Sequence, residues 1–261
     1  MKNITIKILI LVTFLGLGTH SFAQMNGYGK NQQKQEMEYN SHTVDFGDYE
    51  KGTLTQEEIN ALVHMREEEK LARDIYTVLG ETTPSAVFKN IPRSEQTHMD
   101  AFDQLLDRYE IPDPVVDESL IGIFTDPFFT NLFIELKEKG QQSDKDAFEV
   151  GAMVEDLNMA NLIKYGEATD KPDLQLAYNT LLKQSKNHMS AFVRQLNRLG
   201  YEFEPKYITS EQLSIAVIEG KKHIDQEAEQ DGGHALEIQN EIQEKKSILI
   251  KIKEFFMRLF N

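Results

Sequence analysis

Between positions 54 and 200 the apolar residues recur at intervals of three, four and seven, the period of helices buried along one face, and no stretch alternates as a strand would. Thr55 followed by Glu58 has the form of a capping box and predicts a first helix from there to about Leu79, halted before Gly80 and Pro84. A second helix is expected from about Ser85 to Glu110, ended by Pro112 and Pro114. Residues 111–142 read as a long connection containing a short helix over Phe128–Lys139. A third helix is expected from about Ser143 to Tyr165, and a fourth from about Pro172 to Leu199 with Gly200 as its stop. Four such helices with a long crossover between the second and third predict an all-α fold, a four-helix bundle over residues 54–208.

Each apolar stripe is interrupted near mid-helix by polar residues. Glu69 shares a face with Ile59, Leu62, Ala72, Tyr76 and Leu79. Glu95 and His98 share one with Ile91, Phe102, Leu105 and Tyr109. Glu155 lies between Phe148, Ala152, Met159 and Leu162, and Ser185 and His188 lie between Leu174, Leu181, Phe192 and Leu199. A buried carboxylate costs several kcal/mol unless it is paired or bound to a cation. Three glutamates and two histidines converging at one level are most simply explained by a metal ion, and oxygen with imidazole donors suits iron, manganese or zinc. The spacing Glu95-x-x-His98 puts both side chains on one face, a turn apart. Neighbouring acids compete for the same role: Glu68 borders the first stripe with Met65, Ala72 and Ile75, and Glu149 and Asp156 border the third.

An internal repeat favours one set. Thr97-His98-Met99-Asp100-Ala101-Phe102 matches Asn187-His188-Met189-Ser190-Ala191-Phe192, and Leu106 and Arg108 match Leu196 and Arg198 at the same offset of 90. Glu69-Lys70-Leu71 matches Glu155-Asp156-Leu157 at an offset of 86. A helix pair present twice predicts two halves about a pseudo-two-fold axis, with Glu69 and Glu155 as equivalent ligands.

Charge and composition narrow the classes. The formal net charge of −15 argues against nucleic acid, which needs a basic face. With no cysteine, disulfides and thiolate metal sites are excluded. No Gly-rich phosphate loop points to a nucleotide, and no organic cofactor is expected. Lys2 and Lys7, the apolar run Ile8–Leu17 and the small residues of Ser21-Phe22-Ala23 have the layout of a cleavable signal over residues 1–23, which predicts export to a periplasmic or extracellular location. Residues 24–53 read as a flexible polar leader, and 209–261 as a helical charged tail. Its last part, 245–260, carries Ile248, Ile252, Phe255, Phe256 and Leu259 among basic residues and suits docking, self-association into a homo-oligomer, or contact with a membrane surface.

The run Glu69-Lys70-Leu71-Ala72-Arg73-Asp74-Ile75-Tyr76 resembles the first-helix motif of rubrerythrin-type ferritin-like proteins, and Glu95-Gln96-Thr97-His98 resembles their second-helix motif. Together with Arg66-Glu67-Glu68, Ser94 and Asn187-His188, these residues are similar to the family called domain of unknown function 2202, over about residues 54–208. The resemblance implies a ferritin-like four-helix bundle with a metal centre of iron or manganese. In it Glu69 and Glu155 would be terminal carboxylates, Glu95 a bridging one, and His98 and His188 the imidazoles. Oxidase or peroxidase chemistry is the activity implied; a non-enzymatic scaffold of the cell envelope with a vestigial site is the alternative. One position departs from the pattern: Ser185 stands where a second bridging Glu is expected, which leaves the metal count at one or two.

Overall fold

The computed structural model describes residues 44–220, and among these the chain is all-helical. The expected signal peptide, the first part of the leader and the 245–260 segment lie outside the described residues. The helices are α1 (Gln56–Thr82), α2 (Ala86–Arg108), α3 (Pro127–Gly140), α4 (Asp144–Ala168) and α5 (Pro172–Arg198).

Local chemistry sets most of their ends. In the capping box of α1, Glu58 N–H donates to Thr55 Oγ1 at 3.2 Å and Thr55 N–H to Glu58 Oε2 at 2.8 Å. Ser85, Asp126 and Ser143 cap α2, α3 and α4 in the same sense, and Pro172 opens α5. Gly80 does not stop α1, which continues to Thr82. A Cβ there would lie 3.3 Å from Phe88 Cβ, so the glycine permits a close approach by the start of α2. The C-termini of α2 and α5 repeat one another. Glu110 (φ 59°) and Gly200 (φ 82°) both take the left-handed conformation, and Ile111 N–H and Tyr201 N–H return to the carbonyls of Leu106 and Leu196.

The apolar core has two lobes. One contains Leu62 and Met65 of α1, Phe102, Leu105 and Leu106 of α2, Leu162 of α4, and Leu174, Tyr178 and Leu181 of α5. The other contains Ile75, Tyr76 and Leu79 of α1, Phe88 and Ile91 of α2, Phe148 and Ala152 of α4, and Met189, Phe192 and Leu196 of α5. Chain direction follows from this division. Helices α1 and α5 pass from the first lobe to the second, whereas α2 and α4 pass from the second to the first. The most extensive pairings are α1 with α2 and α4 with α5; α1 also packs on α4, and α2 on α5. Because α2 and α4 run the same way, residues 109–143 must travel back along the molecule, and α3 in this segment packs on α1 and α4.

Charged residues of α1 hold that crossover. Arg66 through Lys70 are five consecutive charged residues, each at most 3 % exposed. Arg66 bonds the carboxylates of Asp113 (2.8 Å) and Glu118. Glu67 accepts the backbone N–H groups of Thr125 and Asp126. Lys70 donates to Asp74 and to the Leu120 carbonyl at 2.7 Å. Arg73 donates to the Glu118 carbonyl and to Gln96. Buried charges persist only when partnered in this way.

Segments before α1 and after α5 also pack on the helices. Val44 and Phe46 are buried in the first lobe. Ile208 and Ala216 are buried in the second, and residues 210–220 are helical, with Ser190 Oγ donating to the Val217 carbonyl.

Candidate metal centre

Between the two lobes lies a layer of polar side chains. Its members sit at the middle of their helices: Glu69 on α1, Ser94, Glu95 and His98 on α2, Glu155 and Asn158 on α4, and Gln184, Ser185 and His188 on α5. The five expected donors are brought together there. Glu69, Glu95 and His98 form one group, and Glu95, Glu155 and His188 another; all five are buried, and within each group the potential ligand atoms lie within 4.8 Å of one another. Both groups could hold a metal ion.

Glu95 belongs to both groups and sits at the centre. Its Oε2 is 2.8 Å from His98 Nδ1, and its Oε1 is 2.8 Å from His188 Nδ1. His98 Nδ1 also lies 3.2 Å from Glu69 Oε2, and His188 Nδ1 3.5 Å from Glu155 Oε1. The imidazole planes are stacked, with centroids 5.5 Å apart. The far nitrogens are held across the halves: His98 Nε2 meets Gln184 Oε1 at 2.8 Å, and His188 Nε2 meets Ser94 Oγ at 3.0 Å. Ser94 and Gln184 stand four residues before the histidine of their own half, at the same offset of 90 as the histidines. Fixing Nε2 leaves Nδ1 of each ring turned to the carboxylates, as a metal-ligating histidine requires.

Other contacts orient the acids. Asn158 Nδ2 donates to Glu69 Oε1 at 2.9 Å, and Tyr76 OH donates to Glu155 Oε1 at 2.6 Å. Ser185 Oγ donates to Asn158 Oδ1 at 2.9 Å and is one link removed from Glu69. Of the competing acids, Glu68 faces away, toward His64 and Asn161. Glu149 pairs with Lys139 and Lys145, and Asp156 accepts the backbone N–H groups of Lys206, Tyr207 and Ile208. Sequence periodicity missed Ser94, Asn158 and Gln184; the offset of 90 was the one signal that could have paired Ser94 with Gln184.

Burial and mutual charge set the protonation of the layer. Burial pushes Glu69 up to about 7, against the opposing pull of His98. Burial and the Glu95 charge raise Glu155. Burial would raise Glu95 as well, but His188 and His98 outweigh it and hold that carboxyl well below its usual range. Burial would lower both histidines; instead Glu95 and Glu155 lift His188 to about 9, and Glu95 and Glu69 lift His98 well above its usual range.

The residues fit a cation in one further respect. Glu95 Oε1 and His188 Nδ1 are close enough for an ion pair but are not aligned as donor and acceptor, and neither has an aligned hydrogen-bond partner. Two ligands at right angles on one ion, each about 2.1 Å from it, would be roughly 3 Å apart. One divalent ion is overbalanced by the three carboxylates; two are not fully balanced by them, since Ser185 supplies no fourth.

Known proteins are similar to the chain in sequence and fold. The chain is 49 % identical over 162 residues to the uncharacterized protein MJ0754 of Methanocaldococcus jannaschii, a match covering 62 % of this chain and 87 % of that protein. The crystal structure of hypothetical protein MJ0754 from the same archaeon superposes with a TM-score of 0.64 at 46 % identity, covering 66 % of this chain and 97 % of that one. Residues 58–219 match the family described as Uncharacterized protein domain (DUF2202), and the chain belongs to that family.

Proposed function

We propose that this protein is a ferritin-like four-helix bundle that binds one or two ions of iron or manganese in its core through Glu69, Glu95, His98, Glu155 and His188. The observation that carries this reading is the buried layer itself. Three carboxylates and two imidazoles share a buried core, and Glu95 and His188 present atoms with no aligned hydrogen-bond partner. The parallel course of α2 and α4, joined by a long crossover, supports the ferritin-like part of the reading. When bound, such a metal supplies Lewis-acid or redox chemistry, and iron oxidation or peroxide reduction is the activity class that suits oxygen and imidazole donors. The chain's own residues would orient the donors through Ser94, Gln184, Asn158 and Tyr76, exclude water through the two apolar lobes, and hold protons on Glu69 and the histidines when metal is absent.

Export completes the proposal. Lys2, Lys7, the apolar run Ile8–Leu17 and Ser21-Phe22-Ala23 support cleavage before Gln24, which would place the metal site in the cell envelope or outside it. N-terminal sequencing of protein recovered from the producing cell should begin at Gln24; an intact Met1 would refute cleavage.

Elemental analysis of purified protein tests the metal reading. About one or two equivalents of iron or manganese are expected. Less than about a tenth of an equivalent of any transition metal, with a melting temperature unmoved by added Fe²⁺ or Mn²⁺, would refute it.

A second reading has one observation in its favour. Ser185, Asn158 and Glu69 form a continuous hydrogen-bonded chain, so the layer could act as a polar lock in a non-enzymatic scaffold. In that case His98→Ala would lower stability with no change in metal content; a visible ferric absorption band in native protein excludes it.

A further inference from the structure

A second polar cluster lies beside the core layer, on the side where α1, α3 and α4 meet. His64 and Glu68 are one helical turn apart on α1, and Asn161 faces them from α4. His64 Nε2 is 3.0 Å from Glu68 Oε2, Asn161 Nδ2 is 2.6 Å from the same oxygen, and Asn161 Nδ2 lies 3.4 Å from His64 Nε2. The Glu68 side chain is 1 % exposed and that of His64 is 29 % exposed. The other Glu68 oxygen, Oε1, is buried and has no hydrogen-bond partner. A buried carboxylate oxygen without a partner costs free energy that a cation would recover. Aromatic rings wall the cluster: Phe129 of α3 lies 5.0 Å from the His64 ring, and Tyr165 of α4 lies 6.1 Å from it.

The cluster is joined to the core on both helices. Glu68 is followed by Glu69, and Asn161 stands one turn after Asn158, which donates to Glu69. The polar side chains thus form a staircase from a partly exposed imidazole, past Glu68 and Asn161, to Asn158 and Glu69. Its donors toward a cation are one imidazole and one carboxylate, which suit a divalent first-row transition ion, while the Asn161 amide N–H holds the carboxylate in place. Two donors with a single negative charge bind more weakly than the five of the core, as a transfer site should.

We infer that His64 and Glu68, with Asn161 steadying the carboxylate, form a second divalent-cation site, an antechamber through which metal reaches the core. As a route it rests on the core being the metal's destination; as a binding site it stands by itself.

Co²⁺ alone, followed by its visible absorption on mixing with the full chain, tests both parts. Wild-type protein should show a fast, weak binding phase before a slower, tight one. Glu68→Gln, which keeps the hydrogen bonds to His64 and Asn161 available, should remove the fast phase and slow core loading about tenfold at unchanged final tight stoichiometry. His64→Ala, at a partly exposed position, should do the same. Glu95→Gln should lose the tight phase and retain the weak one. Equal loading rates in wild type, Glu68→Gln and His64→Ala, with no Co²⁺ bound to Glu95→Gln, would overturn the antechamber and leave the core reading intact. Weak binding abolished by Glu68→Gln, with no tight phase in any protein, would support the site and overturn both the route and the core reading. No Co²⁺ bound to wild type would overturn everything.

Discussion

At the scale of single residues, the polar layer is an arrangement of protons as much as of ligands. Glu69, His98 and His188 all bind protons more tightly in the folded chain than in the unfolded one, because burial favours the protonated carboxyl of Glu69 and neighbouring carboxylates favour the protonated imidazoles. For His188 the sign is plain. Its folded value of about 9 exceeds the ordinary 6.5, so its contribution to stability is complete below pH 6.5 and is lost as pH rises through about 9. A metal bound as proposed would have to displace these protons, so its binding would strengthen over the same range. The melting temperature of chelator-treated protein should therefore fall between about pH 6.5 and 9.5, while the gap between metal-loaded and metal-free protein widens. Thermal scans across that range decide the matter, and a constant gap would show that the histidines are not displaced. Ser185 is the other informative position. Ser185→Glu would bury a carboxylate beside Asn158 and Glu69, costing ~2–4 kcal/mol without metal. Added Mn²⁺ should recover most of that loss and raise the bound metal count; an equal loss with and without Mn²⁺ would show that position 185 does not face the ion.

At the scale of helices, the repeat is expressed in packing and in caps. Gly151 lets α4 approach the Phe192 ring so closely that a Cβ would lie 2.3 Å from Phe192 Cε1. Gly151→Ala should cost about 1–3 kcal/mol in denaturant unfolding, since the ring is buried and cannot retreat. The two equivalent helix ends offer an opposite case. Position 200 carries glycine in the left-handed conformation, whereas position 110 carries glutamate in it. Glu110→Gly should raise stability by about 0.5–1 kcal/mol, because backbone strain is removed and the exposed ion pair with Lys51 that is lost contributes little. Helix starts at Thr55, Ser85 and Ser143 were legible in the sequence because capping is local chemistry. The end of α1 was not. Gly80 has the look of a stop signal, but its role is the approach of Phe88, a tertiary contact that no local pattern encodes.

At the scale of the whole molecule, sequence periodicity located the stripes that face the centre and the five donors within them. It could not reveal the burial of Arg66, Glu67 and Lys70. A helical period assigns one apolar face, and these residues are covered by the 111–126 crossover, which folds over the remaining faces of α1 and is itself held by their charges. The partners that orient the centre were equally hidden, since Ser94, Asn158 and Gln184 cannot be told from surface polar residues without the fold. What the fold adds is convergence. Glu95 joins two halves of the chain that each bring a glutamate and a histidine, and the two apolar lobes seal the layer above and below. Anomalous diffraction at the manganese edge, from crystals grown with Mn²⁺ and fully washed, tests this directly. A peak among Glu69, Glu95, His98, Glu155 and His188, about 2.0–2.6 Å from at least three of their donor atoms, is the expected result. No peak there, with Glu95 still paired to both histidines, would contradict the metal-binding reading of the core.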